Sequence, residues 1–377
     1  MDALHISLVT ETYPPEINGV AMTLGRLVNG LRARGQRVTV TRPRQPRDGA
    51  TGIDDDEHLV MGLPIPGYAG LNFGLAGKRR LSAAWRKARP DIVHIATEGP
   101  LGWAAIAAAR SLAIPVVAGF HTNFHSYGRY YGLGWLQRPL NDYLRQFHNR
   151  AQLTLAPTRK LVEQLEADGY RNLGVMTRGV DTAAFHPQRR DPALRESWGT
   201  GENDVALIYV GRLAAEKNLS LLVNTFRAIQ MVQPQSRLVL VGNGPKSHQM
   251  QREHPDFIFS GPRIGEDLAR HYSSADIFLF PSLTETFGNV LLEAMASGLA
   301  AVSFDYAAAG EHLQHGVNGM KAAYGDEADF MRLASELATN RETTRRLGRA
   351  ACLTTQGLAW GSVLDKLLED YRQLLAR

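Results

Sequence analysis

Two glutamates, Glu285 and Glu293, stand eight positions apart in the stretch SLTETFGNVLLEAMASG (282–298), on either side of a Phe-Gly-Asn-Val turn. The apolar run DIFLF upstream reads as a strand and VLLEAMAS downstream as a helix. Phe287, Gly288 and Asn289 then open the helix, and the unpaired N–H groups of a helix start attract a diphosphate. Glu285, just ahead of the helix, is placed to accept from the hydroxyls of a sugar. Glu293, one turn inside, is placed to accept from those of a ribose. Reading the pair as a capping acid and an unrelated helical glutamate leaves the turn unexplained.

The other residues able to do chemistry also come directly after apolar, β-branched runs. After LIYVG come Arg212 and Lys217, five positions apart across a turn, with little acidic company except Glu216. Two such cations suit a diphosphate whose charge grows as its bond to a sugar breaks, unless they are simply solvated. Asn18-Gly19 precede a helix that begins near Val20, and a glycine there admits a ligand close to the backbone; an ordinary strand-to-helix turn has the same pattern. His121 and His125 lie four apart after VVAGF. Such a pair can ligate zinc, yet no carboxylate occupies the intermediate position and no third ligand is near. A histidine at a strand end could instead hydrogen-bond a sugar or stabilise charge, or simply cap or fill a core. Gly242 opens a tight turn after RLVLVG, and the loop Pro262-Arg263-Ile264 after DFIFSG could hold a nucleobase, with the Arg263 guanidinium able to stack on it.

An α/β architecture would position these residues. HISLVT, RVTVT, DIVHIA, PVVAGF and LTLAP in the first half, and VALIYVG, SRLVLVG, DFIFSG, DIFLFPS and LAAVSFD in the second, alternate with helical segments. That alternation marks βαβ units and parallel sheets, whose ligands bind beyond the carboxyl ends of the strands. A chain of 377 residues is expected to form two doubly wound domains, 1–185 and 186–355, and a helix over 356–377 is expected to return to the first of them. The linker falls within 178–204, which is rich in charge, Pro and Gly.

With 44% hydrophobic and 21% charged residues, the chain is neither disordered nor membrane-spanning in character. Its most apolar run, GWAAIAAARSLAIPVVAGF, is broken by Arg110 and Pro115. The net charge of +5 is uneven, because residues 1–190 hold 24 Lys and Arg against 15 Asp and Glu, while residues 191–377 hold 18 against 22. A basic first half suits an anionic partner, and no signature of a nucleic-acid binder is present. A single cysteine, Cys352, excludes an internal disulfide. With no basic and then apolar leader at the start, a cytoplasmic protein with at most peripheral membrane contact is expected.

Together, GRLAAEKN, GNGP, FPSLTETFGNVLLEAMASG and EHLQHGVNG resemble the retaining nucleotide-sugar glycosyltransferases of family 4. With the NGVA loop and the HTNF segment in the family's order, the resemblance spans nearly the whole chain. It implies the GT-B fold: α/β, two Rossmann-like doubly wound domains with a cleft between them. It also implies that Gly19 and His121 meet the donor's diphosphate and sugar, that Arg212 and Lys217 neutralise the diphosphate, and that Glu285 binds the sugar. Backbone at Asn289, Val290 and Leu291 would meet phosphate, and Glu293 would bind ribose. The family's account of retention is a same-face substitution in which the leaving diphosphate helps deprotonate the acceptor hydroxyl, so no protein nucleophile, metal or cofactor is expected. In agreement, no glutamate pair can be assigned as the acid and nucleophile of a glycosidase, and the run Asp54-Asp55-Asp56-Glu57 reads as a solvated loop rather than a metal holder. Ala300 stands where the family often has proline, a departure that touches packing.

The region HTNF…YG…RPLNDYLRQFHNRA is similar to GDP-mannose-dependent mannosyltransferases and to diacylglycerol glycosyltransferases. Segments 67–87 and 125–150 mix aromatic with basic residues, as membrane-surface segments do; an acceptor-side lid and an ordinary packed helix have an equal claim. The implied partners are a nucleotide-sugar of GDP-mannose or UDP-glucose type, a lipid or glycan acceptor and an anionic membrane surface. Two other classes are a sugar-nucleotide epimerase on the same fold, which needs no acceptor, and an exported sugar-binding protein. Arg212, Lys217 and the glutamate pair favour transfer.

Overall fold

The computed structural model of the protein describes residues 3–16, 18–45, 48, 56–64, 72–121 and 137–376. They form two compact units, the first running to Arg178 and taking in the chain from Val363 onward, the second running from Gly179 to Ser362.

Among the described residues the first unit has the strands β1 (His5–Val9), β2 (Arg37–Pro43), β3 (Glu57–Pro64), β4 (Asn72–Leu75), β5 (Ile92–Ile95), β6 (Val116–Gly119), β7 (Leu153–Ala156) and β8 (Leu173–Val175). They form one sheet in the order β4-β3-β2-β1-β5-β6-β7-β8, parallel except at the β3–β4 edge. The order reverses at β1, so the crevice beyond β1 and β5 is the position where a doubly wound sheet takes a ligand. The second unit has β9 (Ala206–Val210), β10 (Arg237–Val241), β11 (Ile258–Gly261), β12 (Ile277–Phe280), β13 (Ala300–Phe304) and β14 (Met320–Ala322), in the order β11-β10-β9-β12-β13-β14, parallel throughout. Its reversal lies between β9 and β12.

Every apolar run expected to be a strand is one. The additional strands are short or start in polar sequence: β8 and β14 have three residues each, and β3 starts at Glu57. Glu57 is therefore not part of a solvated loop, and its carboxylate instead pairs at 2.8 Å with Arg42, whose side chain is buried. Asp54 and Asp55 lie outside the described residues. Segment 178–204 carries a helix, Pro192–Ser197, N-capped by Asp191, and buries Phe185 and Trp198 in the second unit's core.

Alternation along β9 shows how both faces are covered. Ala206, Ile208 and Val210 enter one buried cluster while Leu207 and Tyr209 enter the other. Strands buried on both faces read as unbroken apolar runs, and burial of this kind contributes about 25 cal/mol per Å² of apolar surface.

The helix Trp360–Leu375 buries Val363, Leu364, Leu367, Leu368 and Tyr371. Its approach to the helix Gly19–Ala33 needs a glycine, because a Cβ on Gly30 would lie 2.2 Å from Leu364 Cδ1. Tyr371 reaches into the sheet, where its hydroxyl is 2.6 Å from Nδ1 of the fully buried His94. Burial pushes His94 down to about 4, so it is held neutral. Tyr371→Phe would leave that ring nitrogen buried without a partner, at about 1–3 kcal/mol. We expect a melting temperature several degrees below wild type; an unchanged one would show that this contact does not anchor the helix.

Candidate functional site

In the second unit, β9 delivers its chain into Gly211-Arg212-Leu213 and then a single 3-10 turn, Ala215–Lys217. Asn218 adopts a left-handed conformation (φ 52°) that redirects the chain into the helix Leu219–Val232. This loop is braced from β10. Leu213 N–H donates to Asn243 O at 3.1 Å and Lys246 N–H donates to Leu213 O at 2.9 Å. Gly242, at φ 129°, sits so close that a Cβ there would lie 2.0 Å from Gly211 O. The glycine turn thus fixes the backbone that carries Arg212.

The structure gives both cations a carboxylate. Arg212 Nη2 donates to Glu216 Oε1 at 2.7 Å, with the Glu216 side chain buried and that of Arg212 44% exposed. Lys217 Nζ donates to Glu285 Oε1 at 2.5 Å, both side chains being largely buried. The acidic company of Lys217 therefore includes Glu285, which is 68 positions away in sequence. The hydroxyl of Thr284 donates to Glu216 O at 3.1 Å, which ties the Glu285 loop to the Lys217 loop. Tyr209, fully buried beneath them, donates to Arg212 O at 3.1 Å. Burial, with Glu285 and Glu216 adding, pushes its phenol well above the ordinary range and keeps it neutral.

Glu285 leads into the helix Asn289–Ala296 through Gly288, the N-cap, at φ 92° and ψ 63°. That left-handed conformation favours glycine, and a Cβ would also meet the Phe280 ring at 2.9 Å. Phe287 is buried, its ring edge against His312, and its carbonyl accepts from Ala308 N–H; it anchors the turn. The Leu291 side chain is buried and its N–H donates to Gly288 O at 3.0 Å, so it closes the first turn. Val290 and Asn289 precede it. Glu293 accepts from the hydroxyl of the buried Tyr272 at 3.1 Å. Arg263 lies beyond β11, with Nε on Ser260 O and Nη1 on Asp267, both at 2.9 Å.

In the first unit, Asn18 caps the helix Gly19–Ala33 by accepting from Val20 N–H and Ala21 N–H. A Cβ on Gly19 would meet nothing within 4 Å, so the space over this helix start is open. His121 lies just past β6 and is buried. Arg178 Nη2 donates to its Nδ1 at 2.6 Å. Burial and the neighbouring Arg178 cation hold His121 well below the ordinary histidine range. Residues 67–71 and 125–136, with His125 among them, belong to the two segments that mix aromatic with basic residues and lie outside the described residues.

The residue after β1 and Thr10 is Glu11, which no sequence motif singles out. Its Oε1 accepts from Gly74 N–H at 3.3 Å and Leu101 N–H at 3.2 Å, so it caps the helix Pro100–Ser111, whose own N-cap is Gly99. Burial pushes its carboxyl up to about 7, with Glu98 adding and the backbone donors opposing. Among the described residues no group of three or more His, Cys, Asp or Glu is placed to hold a metal ion. No helix among them is long and apolar enough to cross a membrane.

Two doubly wound parallel-sheet units are the architecture of a GT-B glycosyltransferase, and one of them carries a cation–carboxylate cluster beside a glycine-capped helix start. Residues 17–184 match the family model described as Glycosyltransferase Family 4, and residues 204–340 match that described as Glycosyl transferases group 1. The chain is 32% identical to a GDP-mannose-dependent alpha-mannosyltransferase of Mycolicibacterium smegmatis, over 99% of this chain and 98% of that protein. It is 27% identical to an alpha-monoglucosyldiacylglycerol synthase of Streptococcus pneumoniae, over 80% of this chain and 71% of that protein. The crystal structure of Anabaena HepE in complex with UDP and glucose has the same fold, with a TM-score of 0.76 at 19% identity, over 98% of this chain and all of that one. The chain belongs to the family 4 glycosyltransferases and has the GT-B fold.

Glu11 offers a pH test of the site's surroundings. Its folded pKa of about 7 lies above the ordinary 4.5. The stability tied to its neutral form is complete below the unfolded value and is lost as pH rises through 7. Glu11→Gln keeps an acceptor for the two N–H groups and stays neutral. From pH 5 to pH 8 it should gain stability relative to wild type, by at most about 3 kcal/mol at about 1.4 kcal/mol per pKa unit. Parallel pH profiles of melting temperature would refute a buried, proton-holding Glu11.

Proposed function

We propose that the protein is a retaining, metal-independent hexosyltransferase that moves a hexosyl group from a nucleotide-sugar of GDP-mannose or UDP-glucose type to a membrane lipid acceptor, in glycolipid biosynthesis. The observation that carries this reading is the Lys217–Glu285 pair at 2.5 Å, beside Arg212 and ahead of the helix start at Asn289. A carboxylate for sugar hydroxyls and two cations for a diphosphate stand together where the bond between sugar and phosphate would lie.

In the proposed reaction the acceptor hydroxyl oxygen forms a bond to the anomeric carbon on the face from which the diphosphate departs. The electron pair of the breaking C–O bond stays on the diphosphate, which also takes the hydroxyl proton. Arg212 and Lys217 stabilise the charge that develops there, and such electrostatic stabilisation is usually the largest single contribution to catalysis. Lys217 meets the donor already held by Glu285, so its ammonium needs no reorganisation at the moment of bond breaking. Glu285 accepts from sugar hydroxyls, Glu293 from ribose, and Gly19 leaves room for phosphate at the Asn18-capped helix start.

Support for a lipid acceptor is of two kinds. The S. pneumoniae relative is named for a diacylglycerol product. The helix Lys78–Lys87 buries Leu81 and Trp85, with Trp85 Nε1 donating to Ser7 at 3.2 Å, while Lys78, Arg79, Arg80, Arg86 and Lys87 are exposed. Its tryptophan is therefore core, and the part left to face an anionic membrane is charge, which attracts at about 1 kcal/mol per cation near the surface.

The test is nucleotide release from a panel of GDP- and UDP-sugars, with and without anionic vesicles containing diacylglycerol and with and without EDTA. Release from one donor that requires vesicles, resists EDTA and yields a glycolipid of unchanged anomeric configuration is expected. Release without vesicles would overturn the lipid acceptor, and donor conversion without release would indicate an epimerase. Glu285→Gln is expected to lower kcat by roughly 100-fold or more while nucleotide affinity changes by less than about threefold. Wild-type turnover in that variant would remove Glu285 from the site.

A further inference from the structure

Arg178 is a buried arginine whose hydrogen bonding is unusual. Its fixed contact is with a histidine: Nη2 donates to His121 Nδ1 at 2.6 Å, and the buried Nη1 has no partner among the described residues. Burying a guanidinium without a carboxylate is costly, and a buried charge kept at such cost is a candidate for function. The two residues come from separate strands, His121 just past β6 and Arg178 three residues past β8. The His121 ring folds back over β6, where a Cβ on Gly119 would lie 2.3 Å from Nε2. Nε2 is itself buried and without a partner among the described residues.

An arginine donates hydrogen bonds and accepts none. The ring nitrogen facing it must therefore be the unprotonated one, and the imidazole proton must sit on Nε2. We infer that Arg178 is a positioning residue, which fixes His121 in the neutral Nε2–H tautomer at the carboxyl end of β6 and leaves Nε2–H as its one remaining hydrogen-bond donor. Charge acts in the same direction. The groups facing His121 electrostatically are Arg178, His94 in β5 and His148 at the end of the helix Gln137–His148. Glu98 pairs with His148 Nε2 at 3.3 Å. Burial and Arg178 both disfavour imidazolium, so the ring stays neutral through the range in which an ordinary histidine titrates. A neutral donor can bind a sugar hydroxyl or a phosphate oxygen without exchanging its proton with the departing diphosphate. This inference rests on His121 belonging to the donor site, and the experiment separates the two claims.

The measurement is the ring ¹⁵N spectrum of protein labelled at histidine, with His121 assigned by its loss in His121→Asn, recorded from about pH 5 to about pH 8. In the wild type we expect a protonated Nε2 and an unprotonated Nδ1 that do not titrate across this range. Arg178→Met is expected to give mixed tautomers and a titrating ring, with kcat lowered roughly 10- to 100-fold. Arg178→Lys, which keeps a cation and a donor, should restore part of the tautomer preference and of the activity, and Gly119→Ala should displace the ring with Arg178 intact. A wild-type spectrum with Nδ1 protonated, or one unchanged in Arg178→Met, overturns the proposal. The wild-type spectrum decides this even if the methionine variant does not fold. Full activity of His121→Asn with the expected tautomer in the wild type would instead remove His121 from the donor site and leave its pairing with Arg178 standing.

Discussion

Strands covered on both faces leave a parallel sheet few places to keep a charge. In β9 every side chain from Ala206 to Val210 is buried, and the adjoining strands β10 and β12 are nearly as closed. Polar side chains are pushed to the strand ends, where the chain leaves the sheet and helix starts expose their N–H groups. Arg212, Lys217, Glu285 and the cap at Gly288 all stand beyond the ends of β9 and β12, the two strands between which the sheet order reverses. The position of the site is thus a consequence of covering the sheet, and the identity of its residues is a separate matter of chemistry.

The two ion pairs at those ends differ in what they can do. Glu216 is buried to 2% exposure and its backbone is held by Thr284, so its pairing with the half-exposed Arg212 is a fixed support. Lys217 and Glu285 are each about 15% exposed, so solvent reaches this pair more than it reaches Glu216. A pair of this kind holds a cation in place before an anion arrives. The glycines around it serve the same end by geometry, since Gly242 and Gly288 occupy positions where a side chain would strike Gly211 or Phe280.

The strands, and the grouping of candidate residues beyond the ends of β9 and β12, were legible because their signals are local. LIYVG and DIFLF are long enough to stand out, and the polar residues of the site come within a few positions of their ends. The Lys217–Glu285 contact was not legible, because 68 residues separate its partners and only the β9–β12 pairing brings their loops together. The roles of Gly242 and Leu291 were also hidden, since a brace and a closed helical turn look the same in sequence as an open, ligand-facing backbone. Trp85 lies in a basic segment that admits both a membrane-surface and a packed-helix reading, and sequence alone could not tell that its own ring is buried and donates to Ser7.

In the first unit the concealed residues are buried ionisable ones. Glu11 comes soon after β1 and obeys the rule that strand ends carry chemistry, but nothing in TETYPPE announces that two backbone N–H groups of other elements converge on its first glutamate. Arg178 comes after β8, which at three residues is too short to register as a strand, and it sits where charge, Pro and Gly suggest a linker. Composition marks such an arginine as solvated, whereas the fold places it against His121 beneath the ends of the sheet. A buried cation facing a histidine rather than a carboxylate sets that histidine's tautomer whatever ligand arrives, so the chemistry available at position 121 is decided by a residue 57 positions away.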